Sequence, residues 1–304
     1  MPDQANAENA KLRARVQELE EEVRAREADL RVFREQLVAV NIQLEKLIGQ
    51  VAEDLKMAAA IQKVLIPTEF PNIPGFEFSS KFVPSPISGG DYFDIFEHED
   101  RMRFGLVMAA SSGYGMSSLL LSVLLKMTSS LEAKRGTAPE QVLLTLGQEM
   151  APSLSDKDSA SIFYAVVDRR TLEMHYTNVG RVFGGILRAA TGKFERLVSE
   201  DDALSAATAT HPRPRHSLQL EARDRLFLAT PGVAAAKSPR GEALGEERVF
   251  KAMLAAPRSG VHDWRNELLY QVERHRGEAD LPQDVTVMVI EVKDRLIRLA
   301  PRRS

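Results

Sequence analysis

Leu12, Val16, Leu19, Val23, Leu30, Phe33, Leu37, Val40, Leu44, Leu47 and Val51 recur at alternating spacings of four and three residues, with Arg26 at the one vacant place. A period of 3.5 residues sustained over about five heptads is the seam of a coiled coil. The surrounding composition agrees with a long helix. The first sixty residues hold one Gly (Gly49), one Pro (Pro2) and one aromatic (Phe33), whereas the other 244 hold 17 Gly, 14 Pro and 18 aromatics. An isolated helix cannot bury such a stripe, so the seam demands a partner. A second copy of the chain is the default, since cyclic dimers are the commonest assemblies; the alternative is a helix packed on its own domain. Gly49 interrupts the helical propensity and is a candidate hinge.

Charge divides along the same line. The first sixty residues carry 9 basic and 12 acidic side chains and the remainder 31 of each, so the net charge of −3 resides in the helical segment. This balance excludes nucleic-acid binding through a broad basic surface. Cys is absent, which removes disulfides, thiolate catalysis and Cys-based zinc sites. Met1–Ala10 is polar and lacks the apolar core of a signal peptide. No apolar run approaches the ~18–20 residues of a membrane span. The expectation is a cytoplasmic protein.

Pro67, Pro71, Pro74 and Gly75 end the helix, and short β-rich runs follow at Phe76–Val83, Arg103–Ala109, Ser161–Asp168, Leu172–Asn178, Arg225–Ala229 and Val285–Val292. Helical patterns lie near Met116–Arg135, Pro139–Leu154, Glu246–Ala256 and Val261–Arg274, while Ser199–Arg215 reads as a long loop. Strands and helices in blocks favour an α+β fold over a doubly wound parallel sheet. The implied organisation is a coiled coil over 1–52, a linker helix over 53–66, one folded domain over 67–294 and a basic tail over 295–304.

No phosphate-cradling Gly-Lys-Ser/Thr loop and no paired-His zinc motif is present, and the six His (His98, His175, His211, His216, His262, His275) are scattered without ligand spacing. One ordered set of motifs does stand out. AAIQKVLIP (Ala59–Pro67) precedes VPSPISGGDYFDIF (Val83–Phe96), followed by SSGYG (Ser111–Gly115) and NVGR (Asn178–Arg181). RDRLFLATPGV (Arg223–Val233), RGEALGEERV (Arg240–Val249) and QDVTVMVIEV (Gln283–Val292) complete it. In this order and spacing the chain resembles, over about residues 53–293, the SpoIIE/RsbU branch of the PPM (type 2C) metal-dependent protein phosphatases. The resemblance implies an αββα sandwich of two antiparallel sheets flanked by helices. It also implies hydrolysis of phosphoserine or phosphothreonine by two Mn²⁺ or Mg²⁺ ions held by Asp carboxylates. Hard dications take oxygen ligands, and a metal pair activates water and stabilises in-line displacement at phosphorus.

Compared with that pattern, the metal-binding motifs of this chain are degenerate. The Asp of Gly-Gly-Asp is kept as Asp91, after Gly89 and Gly90 and before Asp94. The Asp opening the Asp-Val-Ser-Gly-His-Gly loop is Ala110, and the His of that loop is Tyr114. The Asp of Thr-Asp-Gly is Pro231, the acid that follows is Ala235, and the first Asp of the C-terminal pair is Gln283. Arg181 stands where the Asn-Ala-Gly-His motif has its His. Asp91 remains the one candidate metal ligand. Asp284 lies one place beyond the ligand position, and neighbouring strand residues face opposite sides, so it is expected to miss the site. Asp91 and Asp94 read either as ligands or as loop-capping carboxylates. Gly89, Gly90, Asp94, Ser111, Gly113, Tyr114 and Gly232 are expected to line the site. No His–acid pair is placed to activate Ser111, Ser112 or Tyr114, and Pro231 both fixes φ and removes a donor.

The leading expectation is a pseudophosphatase with no catalytic residue and no bound cofactor, acting by binding a protein partner. The resemblance implies partner-switching signalling, with STAS-domain or other phosphoproteins as candidate partners and no role for nucleic acid. One alternative is a phosphatase rebuilt around Asp91 and Asp284. Another is a dimeric coiled-coil scaffold with a passive C-terminal domain.

Overall fold

The computed structural model describes residues 2–85, 90–112, 116–156, 158–199, 202–256 and 260–293. The basic tail expected over 295–304 lies outside them. The chain divides into two compact units, Met1–Met57 and Ala58–Ser304.

The first unit belongs to helix α1 (Pro2–Leu65), which continues through Gly49 without a break. The candidate hinge is therefore not expressed as a kink, and the expected linker is the end of the same helix. Along this helix the seam residues are 44–66% exposed. At the vacant seam position Arg26 donates to Glu22 one turn earlier, at 2.6 Å.

In the second unit, β1 (Phe76–Val83), β2 (Asp91–Glu97) and β3 (Arg103–Ser111) lead to helices α2 (Met116–Arg135) and α3 (Pro139–Met150). The strands β4 (Ser159–Asp168), β5 (Glu173–Val179), β6 (Phe183–Leu187), β7 (Phe194–Arg196), β8 (Leu204–Ser205), β9 (His216–Gln219) and β10 (Arg225–Ala229) follow. Helices α4 (Pro231–Ala235), α5 (Glu246–Ala255) and α6 (Val261–Arg276) then precede β11 (Val285–Val292). One antiparallel sheet has the order β1-β11-β10-β6-β7; the other runs β2-β3-β4-β5-β9, with β8 beside β4. This is the αββα sandwich.

Strand alternation builds the layers. In β11, Met288, Ile290 and Val292 enter the core between the sheets, while Val287 and Val289 pack outward with Trp264 and Leu268 of α6. In β3, Phe104, Leu106 and Met108 face inward, while Val107 and Ala109 meet Leu121 and Leu125 of α2 and Leu143 and Leu146 of α3. Both faces of these central strands are covered, which is why their sequences are continuously apolar rather than alternating.

The structure adds strands the sequence pattern did not reveal. β2 lies within the Gly-Gly-Asp motif. β6 contains Gly184 and Gly185, residues that argue against a strand; here a Cβ on Gly184 would lie 2.2 Å from the carbonyl oxygen of Phe227. β8 falls inside the segment expected to be a loop, and β7 and β9 are only three and four residues long.

Candidate functional site

The inward-facing apolar series ends in a polar residue on strand after strand, at the same end of the sandwich. Ile95 and Phe93 lead to Asp91 on β2; Val167, Ala165 and Phe163 lead to Ser161 on β4; Met174 and Tyr176 lead to Asn178 on β5. From the other sheet, Leu226 and Leu228 lead to Thr230 just beyond β10, and Ile290 and Met288 lead to Thr286 on β11. On β3 the series ends at Ala110, the register partner of Asp91.

Asp91 is buried where the two sheets meet. Its Oδ2 accepts hydrogen bonds from Thr230 Oγ1 and Thr286 Oγ1, each at 2.7 Å. The two threonines are themselves paired: Thr286 N donates to Thr230 Oγ1 at 3.0 Å, and Thr230 N donates to the Thr286 carbonyl at 3.0 Å. Asp284, also buried, sits just before β11. Its Oδ1 accepts from Ser85 N at 2.8 Å and its Oδ2 from Gly90 N at 2.9 Å and Asp91 N at 3.3 Å. Burial first and the neighbouring Asp284 charge second hold the Asp91 carboxyl well above the usual carboxylate range, against the opposing effect of the two threonine hydroxyls.

A cleft of about 840 Å³ opens beside this pair. Ala110, Pro231 and Gln283 all line it, as do Ser111 and Ala235. The substituted positions, spread over three loops in the sequence, thus converge on one surface. Gln283 faces the cleft while Asp284 turns inward onto the segment that leads into β2. Pro231 opens α4, where a missing N–H leaves no helical bond unmade. Gly232 allows α4 to lie on the backbone at 283–284: a Cβ there would come within 1.8 Å of the Asp284 carbonyl oxygen.

Asp94 does not join this group. Three places from Asp91, it faces the opposite side of β2 and accepts from Tyr92 Oη at 3.0 Å and Lys126 Nζ of α2 at 2.9 Å. Gly90 backs the site through its amide. Gly89, Gly113 and Tyr114 lie outside the described residues. Residues not singled out from the sequence complete the cleft: Ser159, Ser161, Arg196, Glu246 and Phe250. The polar ends of the inward-facing series were the signal that marks Ser161, Thr230 and Thr286.

The donor set does not fit a pair of dications. Among the described residues no group of three or more His, Asp or Glu side chains is gathered to hold a metal. Asp284 is committed to backbone amides, Asp91 accepts two hydroxyls on one oxygen, and Ala110 and Pro231 offer no side-chain oxygen.

Residues 100–293, more than half of the chain, match the family model described as Stage II sporulation protein E (SpoIIE). The chain belongs to the SpoIIE family. It is 20% identical over 192 residues to phosphoserine phosphatase RsbU of Bacillus subtilis, across 63% of this chain and 56% of that protein. It thus spans about half the length of that relative. Among solved structures, the SiaA-PP2C domain of Pseudomonas aeruginosa superposes with a TM-score of 0.67 at 17% identity, covering 81% of this chain and 98% of that one. The PP2C phosphatase domain of SpoIIE from Bacillus subtilis, solved with a fragment of its regulatory domain, gives 0.60 at 15% identity, over 71% and 63% of the two chains. At such identities the likeness speaks for the fold, which is that of PP2C phosphatase domains. What this SpoIIE-family cleft does rests on its own residues.

The Asp91 environment makes a pH prediction. A folded-state pKa raised above the unfolded value means that the protonated acid favours the folded state at low pH. That contribution is lost as pH rises from the unfolded value through the raised one. Asp91→Asn, which keeps an acceptor for the threonines and carries no charge, is expected to gain in melting temperature relative to the native chain as pH increases from 4 to 8. Unfolding followed by the fluorescence of Trp264, the sole tryptophan and fully buried, checks this; a difference that shrinks with pH contradicts the assignment.

Proposed function

We propose that this SpoIIE-family protein is a pseudophosphatase: its cleft binds a protein partner and does not hydrolyse it. The observation that carries this reading is the convergence of Ala110, Pro231 and Gln283 on one cleft wall, while Asp91 and Asp284 are spent on threonine hydroxyls and backbone amides. Two dications bring four positive charges, and a site with two inward-turned carboxylates cannot balance them. Metal-independent binding in a signalling pathway of the partner-switching type, with a STAS-domain or other phosphoprotein as the partner, is the role that fits.

Calorimetric titration of Mn²⁺ into the full chain is expected to give no binding isotherm, and hydrolysis of a generic phosphoester in Mn²⁺ is expected to stay at background. Both appear only when Ala110→Asp, Pro231→Asp and Gln283→Asp are combined. Metal-dependent turnover by the native chain that Asp91→Ala abolishes would establish instead the phosphatase rebuilt around Asp91 and Asp284.

The exposed seam of α1 supports a second element of this reading, a homodimer through a coiled coil. Eleven apolar side chains at heptad spacing, each 44–66% exposed, need an apolar partner, and a second copy presents the matching stripe. Light scattering is expected to give twice the chain mass for the full protein and a monomer after deletion of residues 1–50. An unchanged mass after deletion removes the seam as the dimer contact.

A further inference from the structure

We propose that the cleft holds the phosphoryl group of a phosphoserine or phosphothreonine side chain directly on Arg181, with no metal between them. This rests on the non-catalytic reading above and names the chemistry its partner presents.

Three observations converge. First, the turn that carries Arg181 is anchored on both sides. Asn178 Nδ2 donates to the Val182 carbonyl at 2.9 Å, and Arg181 N donates to Ser161 Oγ at 3.0 Å. Gly180 has φ +76°, and a Cβ there would lie 2.6 Å from Ser161 Oγ, so the turn is fixed tightly against β4. A short backbone loop is thus held with Arg181 projecting from it. Second, Arg181 lines the cleft, its residue is exposed, and its guanidinium makes no ion pair among the described residues. Arg196, the second cation of the wall, is held by Glu247 at 2.7 Å and lies 4.2 Å over the ring of Phe250. Glu246 is the one acid among the described lining residues; burial pushes its carboxyl up, and the charges of Arg196 and Arg181 pull it down.

Third, the substitutions change the sign of what the cleft accepts. Carboxylates at 110, 231 and 283 without dications would repel a phosphate dianion at short range. Ala, Pro and Gln remove that repulsion and leave the guanidinium as the dominant charge. A guanidinium presents a planar fork of donors that matches phosphate oxygens; Ser111, Ser112 and Ser159 also line the cleft, the hydroxyls of Ser112 and Ser159 paired at 2.7 Å. The same three positions that forfeit metals therefore make metal-free phosphoryl binding possible.

The test uses the full chain in EDTA and a fluorescein-labelled degenerate peptide pool with a central phosphoserine, against the same pool with serine and against inorganic phosphate as competitor. The phosphorylated pool is expected to bind at least tenfold more tightly than the serine pool and to be displaced by phosphate only in large excess. Arg181→Ala is expected to erase that preference, a loss of roughly tenfold or more for one charge-assisted contact, with Arg181→Lys keeping part of it. Ala110→Asp, which moves the cleft towards a metal site, is expected to weaken EDTA-resistant binding by restoring repulsion. Equal binding of both pools, or a preference that survives Arg181→Ala in a chain of unchanged melting temperature, overturns this inference and leaves the non-catalytic reading standing. Phosphate bound as tightly as the phosphorylated pool overturns the peptide assignment. Phosphopeptide binding that requires Mn²⁺ and ends in hydrolysis overturns the reading on which the inference rests.

Discussion

Two threonine hydroxyls, each 2.7 Å from one oxygen of Asp91, join the two sheets at the open end of the sandwich. Asp91 belongs to the sheet built on β2 and β3, while Thr230 and Thr286 belong to the sheet built on β10 and β11. The contact is buried, and a buried carboxylate stripped of its donors carries a desolvation penalty that surrounding apolar packing cannot relieve. Asp284 extends the arrangement by accepting the amides of Ser85, Gly90 and Asp91. The entry into β2, the start of β11 and the seating of α4 through Gly232 all depend on this cluster. It performs with hydrogen bonds the crosslinking that a metal pair would perform with coordination.

Asp91 and Asp284 both turn away from the lining of the cleft, onto hydroxyls and backbone amides. Ala110, Pro231 and Gln283 line the cleft together with Arg181 and Arg196. A phosphatase of this fold that merely lost one ligand would keep a negative cleft. Here three separated loops carry no carboxylate at those places and an arginine stands where the related motif has a histidine, which is what supports the proposed preference for an anion.

Much of this was legible before the structure. The period of the seam from Leu12 to Val51 gave α1, because a 3.5-residue repeat has no other simple reading. The doubly covered strands β3, β4, β10 and β11 stood out as continuous apolar runs. β2 was hidden because Gly89-Gly90-Asp91 reads as a loop motif, and β6 because Gly184 and Gly185 carry no strand signal until the close carbonyl of Phe227 is known. Ala110, Pro231 and Gln283 come from three separated motifs and line one cleft. Asp94, three residues from Asp91 along β2, faces the other side of the strand and meets Lys126. The bonding of Asp91 to Thr230 and Thr286 spans 139 and 195 residues of sequence, and no local pattern encodes which hydroxyl meets which carboxylate. Strand alternation already turned Asp284 away from the position of Gln283; that it meets the amides of Ser85, Gly90 and Asp91 has no local signal.

In the proposed reading Asp91 and Asp284, beside the cleft, serve the fold and do not gather metal. Crystals of the native chain grown in excess Mn²⁺, with anomalous scattering recorded at the manganese edge, test it directly. No peak is expected between Asp91, Ala110 and Gln283, with Thr230 and Thr286 still donating to Asp91. An ordered manganese peak within coordination distance of Asp91, with the threonine contacts broken, would contradict it.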